Sequence, residues 1–118
     1  MGYMVRLPIY LELAGKIKNQ ILRGEYPPGT KLPSIRAVSR KMHINPNTIQ
    51  RTFSILKDEH LIEKRLTHQG YFITTDSEIS KIRKSTTDSI IAQLTLALNE
   101  IGYTSETIQD LFKNRQLI

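Results

Sequence analysis

Four polar side chains lie close together in the middle of the chain, within a run of five residues. They are Asn47, Thr48, Gln50 and Arg51. An amide side chain can form two hydrogen bonds with an adenine edge, a guanidinium can do the same with guanine, and a hydroxyl can bind a phosphate oxygen. These residue types therefore predict hydrogen bonding to the base edges and phosphates of a nucleic acid.

A pair of short helices is predicted to position these side chains. The first begins after Ser34, whose hydroxyl can accept a hydrogen bond from a free N–H group at the helix start. Its apolar positions recur at i, i+3 and i+7: Ile35, Val38 and Met42. The second begins after Asn45, because a capping Asn followed by Pro46 at the first helical position is a strong start signal.

The second helix has two distinct faces. Its apolar residues recur at i, i+4 and i+7: Ile49, Phe53 and Leu56. The four polar residues named above and Ser54 are predicted on the N-terminal and outward surfaces of this helix. None of them is needed to form a core. A short helix, a tight turn and a second helix with polar first turns form a helix-turn-helix arrangement.

The residues on either side of this pair predict a third helix and a β-hairpin. The third helix opens at Pro8 and ends at Gly24, with apolar residues at every fourth position: Ile9, Leu13, Ile17 and Ile21. Residues 24–34 form a rigid, turn-rich loop, since their prolines exclude helix. Strand-forming residues at 61–65 and 71–74 flank a turn. Three helices followed by a hairpin make a winged helix, so the predicted fold class is mainly α with a small β-hairpin.

The charge of the chain is divided unequally. Residues 1–75 hold 12 Lys/Arg and 5 Asp/Glu, or +7, whereas residues 76–118 hold 5 and 6, or −1. The basic part predicts a polyanion partner, and the nearly neutral part predicts a different task. The absence of cysteine excludes disulfides and thiolate chemistry. No apolar run reaches the roughly 20 residues of a membrane span, so we predict a cytoplasmic protein with no membrane partner.

The sequence resembles the GntR family of bacterial transcription regulators, and within it the small YtrA-like branch. The segments that carry the resemblance are PIY at 8–10, ILRGEYPPGTKLPSIR at 21–36, INPNTIQRTFSILKDEHLIEKR at 44–65 and GYFI at 70–73. The resemblance implies a winged helix-turn-helix DNA-binding domain over residues 1–75. It further implies a short C-terminal helical dimerisation segment over residues 76–118, in place of a large ligand-sensing domain.

The resemblance also assigns DNA contacts to particular residues. The family's DNA-reading positions match four residues of this chain: Asn47, Thr48, Gln50 and Arg51. Arg36 is the arginine of the LPS-x-R motif, which lies against DNA in the family. Arg40 and Lys41, on the same helix, are candidate phosphate contacts. Asn45 is a helix cap that can also bind phosphate.

Three turns depart from the family pattern. His43 and His60 stand where glycine is common, so either they adopt a turn conformation or the turns differ slightly. The wing, LTHQGYF, has lost positive charge relative to the usual Arg-Gly-x-Gly, so its contribution to binding is the weakest part of the resemblance. Its tip candidates are Gln69 and Gly70, with His68 a lesser one. A metal site built from the three histidines is not expected, because no pair has ligand spacing and no cysteine assists.

Residues 76–118 predict two helices joined at Gly102. One begins at Asp76 or Ser77, and the other follows a Thr104 cap. The residues that we assign to dimerisation are Ile90, Leu94, Ala97, Leu98, Ile101, Ile108, Leu111 and Phe112. Two helices cannot enclose these side chains alone, so they either fold back on the first helix or pair with a second copy. A two-fold operator favours the homodimer.

The predicted function is that of a sequence-specific, DNA-binding transcription regulator. We expect a homodimeric repressor at an inverted-repeat operator in double-stranded DNA, and the family context adds its own operon and an ABC-transporter operon as targets. The alternative is a winged-helix module that binds protein or RNA. No enzyme is predicted, since the chain has no P-loop, nucleophile motif or metal-ligand cluster. No cofactor is expected, and no residue identifies a small-molecule effector.

Overall fold

In a computed structural model, the described residues 6–65 and 69–115 form five helices and one hairpin. In chain order the elements are α1 (Ile9–Leu22), α2 (Ile35–Met42), α3 (Pro46–Asp58), β1 (Ile62–Lys64), β2 (Tyr71–Ile73), α4 (Asp76–Glu100) and α5 (Ser105–Arg115). The chain divides after Ile82 into two compact units, and α4 contributes residues to both. The predicted fold class is confirmed: the chain is mainly α with a small β-hairpin, and its first three helices and the hairpin form a winged helix-turn-helix.

Both helices of the central pair begin at their predicted caps. The Ser34 hydroxyl accepts a hydrogen bond from the Ala37 N–H at 3.1 Å, and the Asn45 side-chain oxygen accepts one from the Asn47 N–H at 2.8 Å. Pro46 occupies the first turn of α3. Each cap satisfies an N–H group that would otherwise lack a partner at the helix start, which stabilises the helix by about 1 kcal/mol.

Helices α1 and α3 pack against each other at the centre of the first unit. Three residues of α3 are buried as predicted: Ile49, Phe53 and Leu56. Thr52 is buried as well, and its hydroxyl oxygen lies 2.9 Å from the backbone oxygen of Thr48 and 3.3 Å from that of Tyr10. These contacts offset the cost of burying a hydroxyl. The other core residues are Leu13, Ala14, Ile21, Leu32, Leu61, Ile62, Ile73 and Ile79.

One residue of the every-fourth apolar repeat of α1 remains exposed. The repeat groups Ile9 with Leu13, Ile17 and Ile21 on one apolar side of the helix, but the relative exposure of Ile9 is 56%. The buried side of α1 includes Leu13, Ala14 and Ile21. At about 100° per residue, the direction of Ile9 lies about 100° from the centre of that side. Only the position of α3 decides which part of the apolar stripe is covered.

Two histidines adopt the left-handed backbone conformation that glycine favours. The φ angle is +55° at His43 and +64° at His60, so the first of the two alternatives above is correct. At the end of α3, the His60 N–H donates to the Lys57 carbonyl at 2.9 Å and the Leu61 N–H to the Leu56 carbonyl at 3.0 Å. This is the Schellman arrangement. Leu61 is fully buried, so the turn directs the chain back to the core before β1.

The hairpin is extended by the loop that precedes α2. In the antiparallel pair, Ile62 lies opposite Ile73 and Lys64 opposite Tyr71. On the other edge of β2, the Leu32 N–H donates to the Tyr71 carbonyl at 2.8 Å and the Ile73 N–H to the Thr30 carbonyl at 2.8 Å. The sequence predicts this loop to be rigid, and its pairing with β2 supplies the physical reason.

The two C-terminal helices are each capped by the threonine that precedes them. Helix α4 begins at Asp76, one of the two predicted starts, and the Thr75 hydroxyl caps it by accepting a hydrogen bond from the Glu78 N–H at 3.2 Å. The Thr104 hydroxyl accepts one from the Thr107 N–H at 3.4 Å, as predicted. Gly102, with φ +104°, ends α4. Ile79 belongs to the core of the first unit, although the predicted domain boundary precedes it.

Replacing His60 by glycine should stabilise the protein. The left-handed backbone conformation costs a residue with a side chain about 1–2 kcal/mol, and the substitution removes this cost. Part of the resulting stabilisation is offset by the greater conformational freedom of glycine in the unfolded chain. We expect the free energy of unfolding to rise by about 0.5–1 kcal/mol, measured by urea denaturation at fixed protein concentration.

Lys57→Gly is the matched control for His60→Gly, because Lys57 has a helical backbone and should lose about 1 kcal/mol on the same substitution. An equal loss in both variants would show that His60 bears no conformational cost.

Candidate nucleic-acid interface

Helix α3 presents polar residues to solvent on the side opposite its buried residues. Asn47, Gln50 and Arg51 are exposed, and Thr48 is half-buried. The Thr48 carbonyl accepts from the buried Thr52 hydroxyl, and its N–H donates to the Asn45 carbonyl at 3.0 Å. The exposed side thus carries two amides and a guanidinium, each of which can form two hydrogen bonds with a base edge.

Arg51 is held by an aromatic ring that the sequence analysis did not consider. Its guanidinium carbon lies 4.5 Å from the centroid of the Tyr10 ring, at the start of α1. The Tyr10 carbonyl also lies 3.3 Å from the hydroxyl oxygen of Thr52, the next residue of α3. A cation–π contact of this kind restrains a long, flexible side chain. The two residues are far apart along the chain, so no spacing rule could reveal the contact.

Helix α2 carries three cations beside α3. Arg36, Arg40 and Lys41 are all exposed, and α2 packs against α3. Arg36 and Arg40 are four residues apart and share one side of the helix. Within the described part of the chain, none of the three forms an ion pair, so their charges are available for anions.

The wing region is more basic than its own sequence indicates. The backbone of Lys31 forms an isolated antiparallel β-bridge with Phe72 of β2. The Cε atom of its side chain lies 3.0 Å from the position that a Cβ atom would occupy if Gly70 had one. This lysine therefore lies beside the wing glycine, whose φ is +114°. Gln69 is exposed, whereas His68 lies outside the described residues.

Two further cations lie at the end of β1, where the hairpin turns toward β2. The Arg65 guanidinium carbon is 4.1 Å from the Phe72 ring centroid and its Nη2 is 3.4 Å from the Glu63 carboxylate. The ammonium of Lys64 is 6.0 Å from the Tyr71 ring centroid. The Lys-Arg pair in the sequence could have indicated these two residues, but only the pairing of the loop with β2 reveals Lys31.

The residues assigned to dimerisation differ in exposure. Ile90 and Ile101 have relative exposures of 59% and 72%, and Leu94 and Ala97 are exposed as well. Leu98, Leu111 and Phe112 are half-buried. Ile108 is buried within the single chain, so its side chain is already covered without a partner. The apolar surface also includes two residues that were not predicted, Ile91 and Leu96.

Two other kinds of site are absent from residues 6–65 and 69–115. None of the helices there is long and apolar enough to cross a membrane. Likewise, these residues include no group of three or more His, Cys, Asp or Glu side chains that could hold a metal ion.

Known proteins match both the sequence and this geometry. Residues 9–73, from the first residue of α1 to the last of β2, match the profile of the bacterial regulatory proteins of the gntR family. The chain belongs to the GntR family. It is a DNA-binding transcriptional regulator and not an enzyme, which confirms the resemblance seen in the sequence.

Relatives are similar over most of their length. The HTH-type transcriptional regulator YhcF of Bacillus subtilis is 36% identical over 107 residues, which cover 90% of this chain and 88% of YhcF. The HTH-type transcriptional repressor YtrA of the same organism is 28% identical over 108 residues, or 90% of this chain and 82% of YtrA. The solved structure of a GntR family transcriptional regulator from Listeria monocytogenes has a TM-score of 0.80 at 26% identity, covering 95% of this chain and 98% of that one.

Tyr10→Leu should weaken DNA binding by this GntR regulator about twofold to fivefold. The ring face that restrains Arg51 is lost, and an exposed cation–π contact contributes about 0.5–1 kcal/mol. Tyr10→Phe is the matched control, since it keeps the ring and should leave affinity unchanged. Both are measured by fluorescence anisotropy with a labelled duplex. A tighter complex for Tyr10→Leu would instead mean that the ring competes with DNA for the guanidinium.

Proposed function

We propose that this GntR regulator is a homodimeric repressor that binds an inverted-repeat operator. The observation that carries the proposal is the exposed side of α3, where Asn47, Gln50 and Arg51 project from a helix whose opposite side is fixed in the core. A capped helix with polar first turns, held in this way, suits insertion into the major groove. The name of YtrA, a transcriptional repressor, supports repression as the mode of action.

The candidate contacts divide by chemistry. Asn47, Gln50 and Arg51 can distinguish bases, because their amides and guanidinium match base-edge donors and acceptors. Contacts to phosphate fix the protein on the duplex without selecting a sequence. We assign that role to Arg36, Arg40, Lys41, Asn45 and Thr48, and at the wing to Gln69, Gly70 and the neighbouring Lys31.

The proposed dimer interface lies in the second unit. Ile90, Leu94 and Ile101 are apolar side chains that this chain leaves exposed, and large apolar patches on a protein surface commonly mark interfaces. A two-fold interface of about 800 Å² per protomer would be of standard size. Two linked recognition helices make the second half-site contact intramolecular, which can raise affinity by about 10² or more.

The target genes and the location follow from the family context. We propose that the regulator controls its own operon and an adjacent ABC-transporter operon, and that it acts in the cytoplasm, where the chromosome is accessible. The inverted repeat should then lie upstream of the gene that encodes this chain.

Selection from random duplex DNA followed by footprinting tests the proposed function. Wild type should recover an inverted repeat whose half-sites are about one helical turn apart, or a multiple of it. Arg51→Ala and Gln50→Ala should lower affinity by roughly 1–3 kcal/mol each and relax preference at particular base pairs. Lys41→Ala should weaken binding to all sequences alike and reduce the slope of log affinity against log salt by about 1.

Two controls accompany this selection. Competitor RNA should not displace the duplex, and equal displacement would favour the RNA-binding alternative. Uniform losses for Arg51→Ala, Gln50→Ala and Lys41→Ala would demote the proposed base contacts to phosphate contacts, and a single asymmetric half-site would contradict the dimer.

Leu94→Glu should convert the dimer to a monomer, because it places a charge in the proposed apolar interface. Gln93→Glu is the matched control, since it adds the same charge at the neighbouring polar position. In sedimentation velocity, Leu94→Glu should be monomeric and Gln93→Glu dimeric. On the full operator, Leu94→Glu should bind about 10²-fold more weakly, with unchanged affinity for an isolated half-site. A dimeric Leu94→Glu would move the interface elsewhere.

A further inference from the structure

A cavity of about 330 Å³ lies between α1 and α2 in the first unit. Its interior is apolar, with the buried side chains of Leu13, Leu32 and Phe53 among its lining residues. Small-molecule sites commonly have volumes of about 300–1,000 Å³ and mostly apolar linings with a few polar groups. The cavity therefore has the size and lining of a site for a small ligand.

The charged residues that line the cavity are both cationic. Lys16 of α1 and Lys41 of α2 line the cavity and are exposed, and none of the twelve lining residues is acidic. Within the described residues neither lysine forms an ion pair. Glu12, one helical turn before Lys16, does not line the cavity. Two unpaired cations above an apolar interior complement a ligand that has one anionic group and an apolar body.

We propose that this cavity binds a small amphipathic carboxylate, with its apolar body against Leu13, Leu32 and Phe53 and its carboxylate beside Lys16 and Lys41. Burial of the apolar body removes its surface from water, which favours binding. The carboxylate stays at the mouth of the cavity, where it remains partly hydrated and paired with the lysines. A neutral ligand of the same length would lack the ion pairs with the two lysines, and a cationic ligand would be repelled by them.

Binding at this cavity has a consequence for DNA, which rests on the proposed function. Lys41 is one of the proposed phosphate contacts, and it cannot neutralise a phosphate while it is paired with the ligand. The ligand therefore acts as an inducer that lowers affinity for every duplex by removing one phosphate contact. The slope of log affinity against log salt falls by about 1, as it does for Lys41→Ala.

The first experiment titrates the full chain, without DNA, with octanoate below its micelle concentration, followed by ¹H–¹⁵N NMR. Saturable shifts should centre on the lining residues of α1 and α2. Octan-1-ol and octylammonium should bind at least fivefold more weakly. Lys16→Gln should weaken octanoate about fivefold, the upper range of an exposed ion pair, and Ala37→Phe, which fills the cavity mouth, should remove the saturable shifts. The matched control, Lys81→Gln on α4, should bind as wild type does.

Three results of this titration would overturn the site. They are binding of octan-1-ol as tight as that of octanoate, shifts centred on other elements, and unchanged octanoate affinity in Lys16→Gln when its spectrum shows an intact fold. None of these results depends on DNA binding, so the titration tests the ligand site independently of the proposed function.

The second experiment measures duplex affinity over a salt series with and without saturating octanoate. Wild type should bind more weakly with octanoate and show the smaller salt slope, whereas Lys41→Ala should show no further change. Wild-type affinity that is unchanged by bound octanoate would end the inducer role. Absence of any duplex binding would overturn the proposed function and leave the octanoate titration as it is.

Discussion

The constraint on which the structure depends is that α3 must be buried on one side and free on the other. A helix of 13 residues is marginally stable alone in water, so its packing has to hold it. Ile49, Phe53 and Leu56 supply that packing, each contributing about 1.5–3 kcal/mol on full burial. Thr52 adds a hydroxyl that lies within hydrogen-bond distance of the Tyr10 carbonyl on α1. These residues fix one side of α3, so the exposed amides and guanidinium on its other side, the proposed DNA contacts, keep a defined direction.

The turns on either side of α3 set its direction. Before it, the Ser39 hydroxyl of α2 donates to the Ile44 carbonyl at 2.5 Å, so α2 and the turn are joined by a side-chain hydrogen bond. After it, the left-handed His60 places Leu61 in the core. Glycine adopts the left-handed conformation without strain, whereas a side chain makes this conformation costly at both His43 and His60. The helix-turn-helix geometry thus follows from local hydrogen bonds together with core packing.

The division of charge matches the division into units. The cations of α2, the wing and the adjoining loop all belong to the first unit, which suits a polyanion. The second unit is nearly neutral and leaves Ile90, Ile91 and Ile101 exposed. The cavity between α1 and α2 lies within the first unit, where Lys41 belongs both to its lining and to the proposed phosphate contacts. Such sharing of one side chain is a simple physical route by which a ligand can change DNA affinity.

The sequence by itself determined the elements, because their signals are local. The caps at Ser34 and Asn45, the stop at Gly24 and the hairpin depend on residues a few positions apart, and the polar side of α3 followed from helical spacing. Tertiary structure alone decided the contact between Arg51 and Tyr10 and the position of Lys31 beside Gly70, since each joins residues far apart along the chain. It also decided which apolar residues are covered. Ile9 and Ile108 both fit helical stripes, yet only Ile108 is buried, because burial depends on the neighbouring elements that a stripe meets.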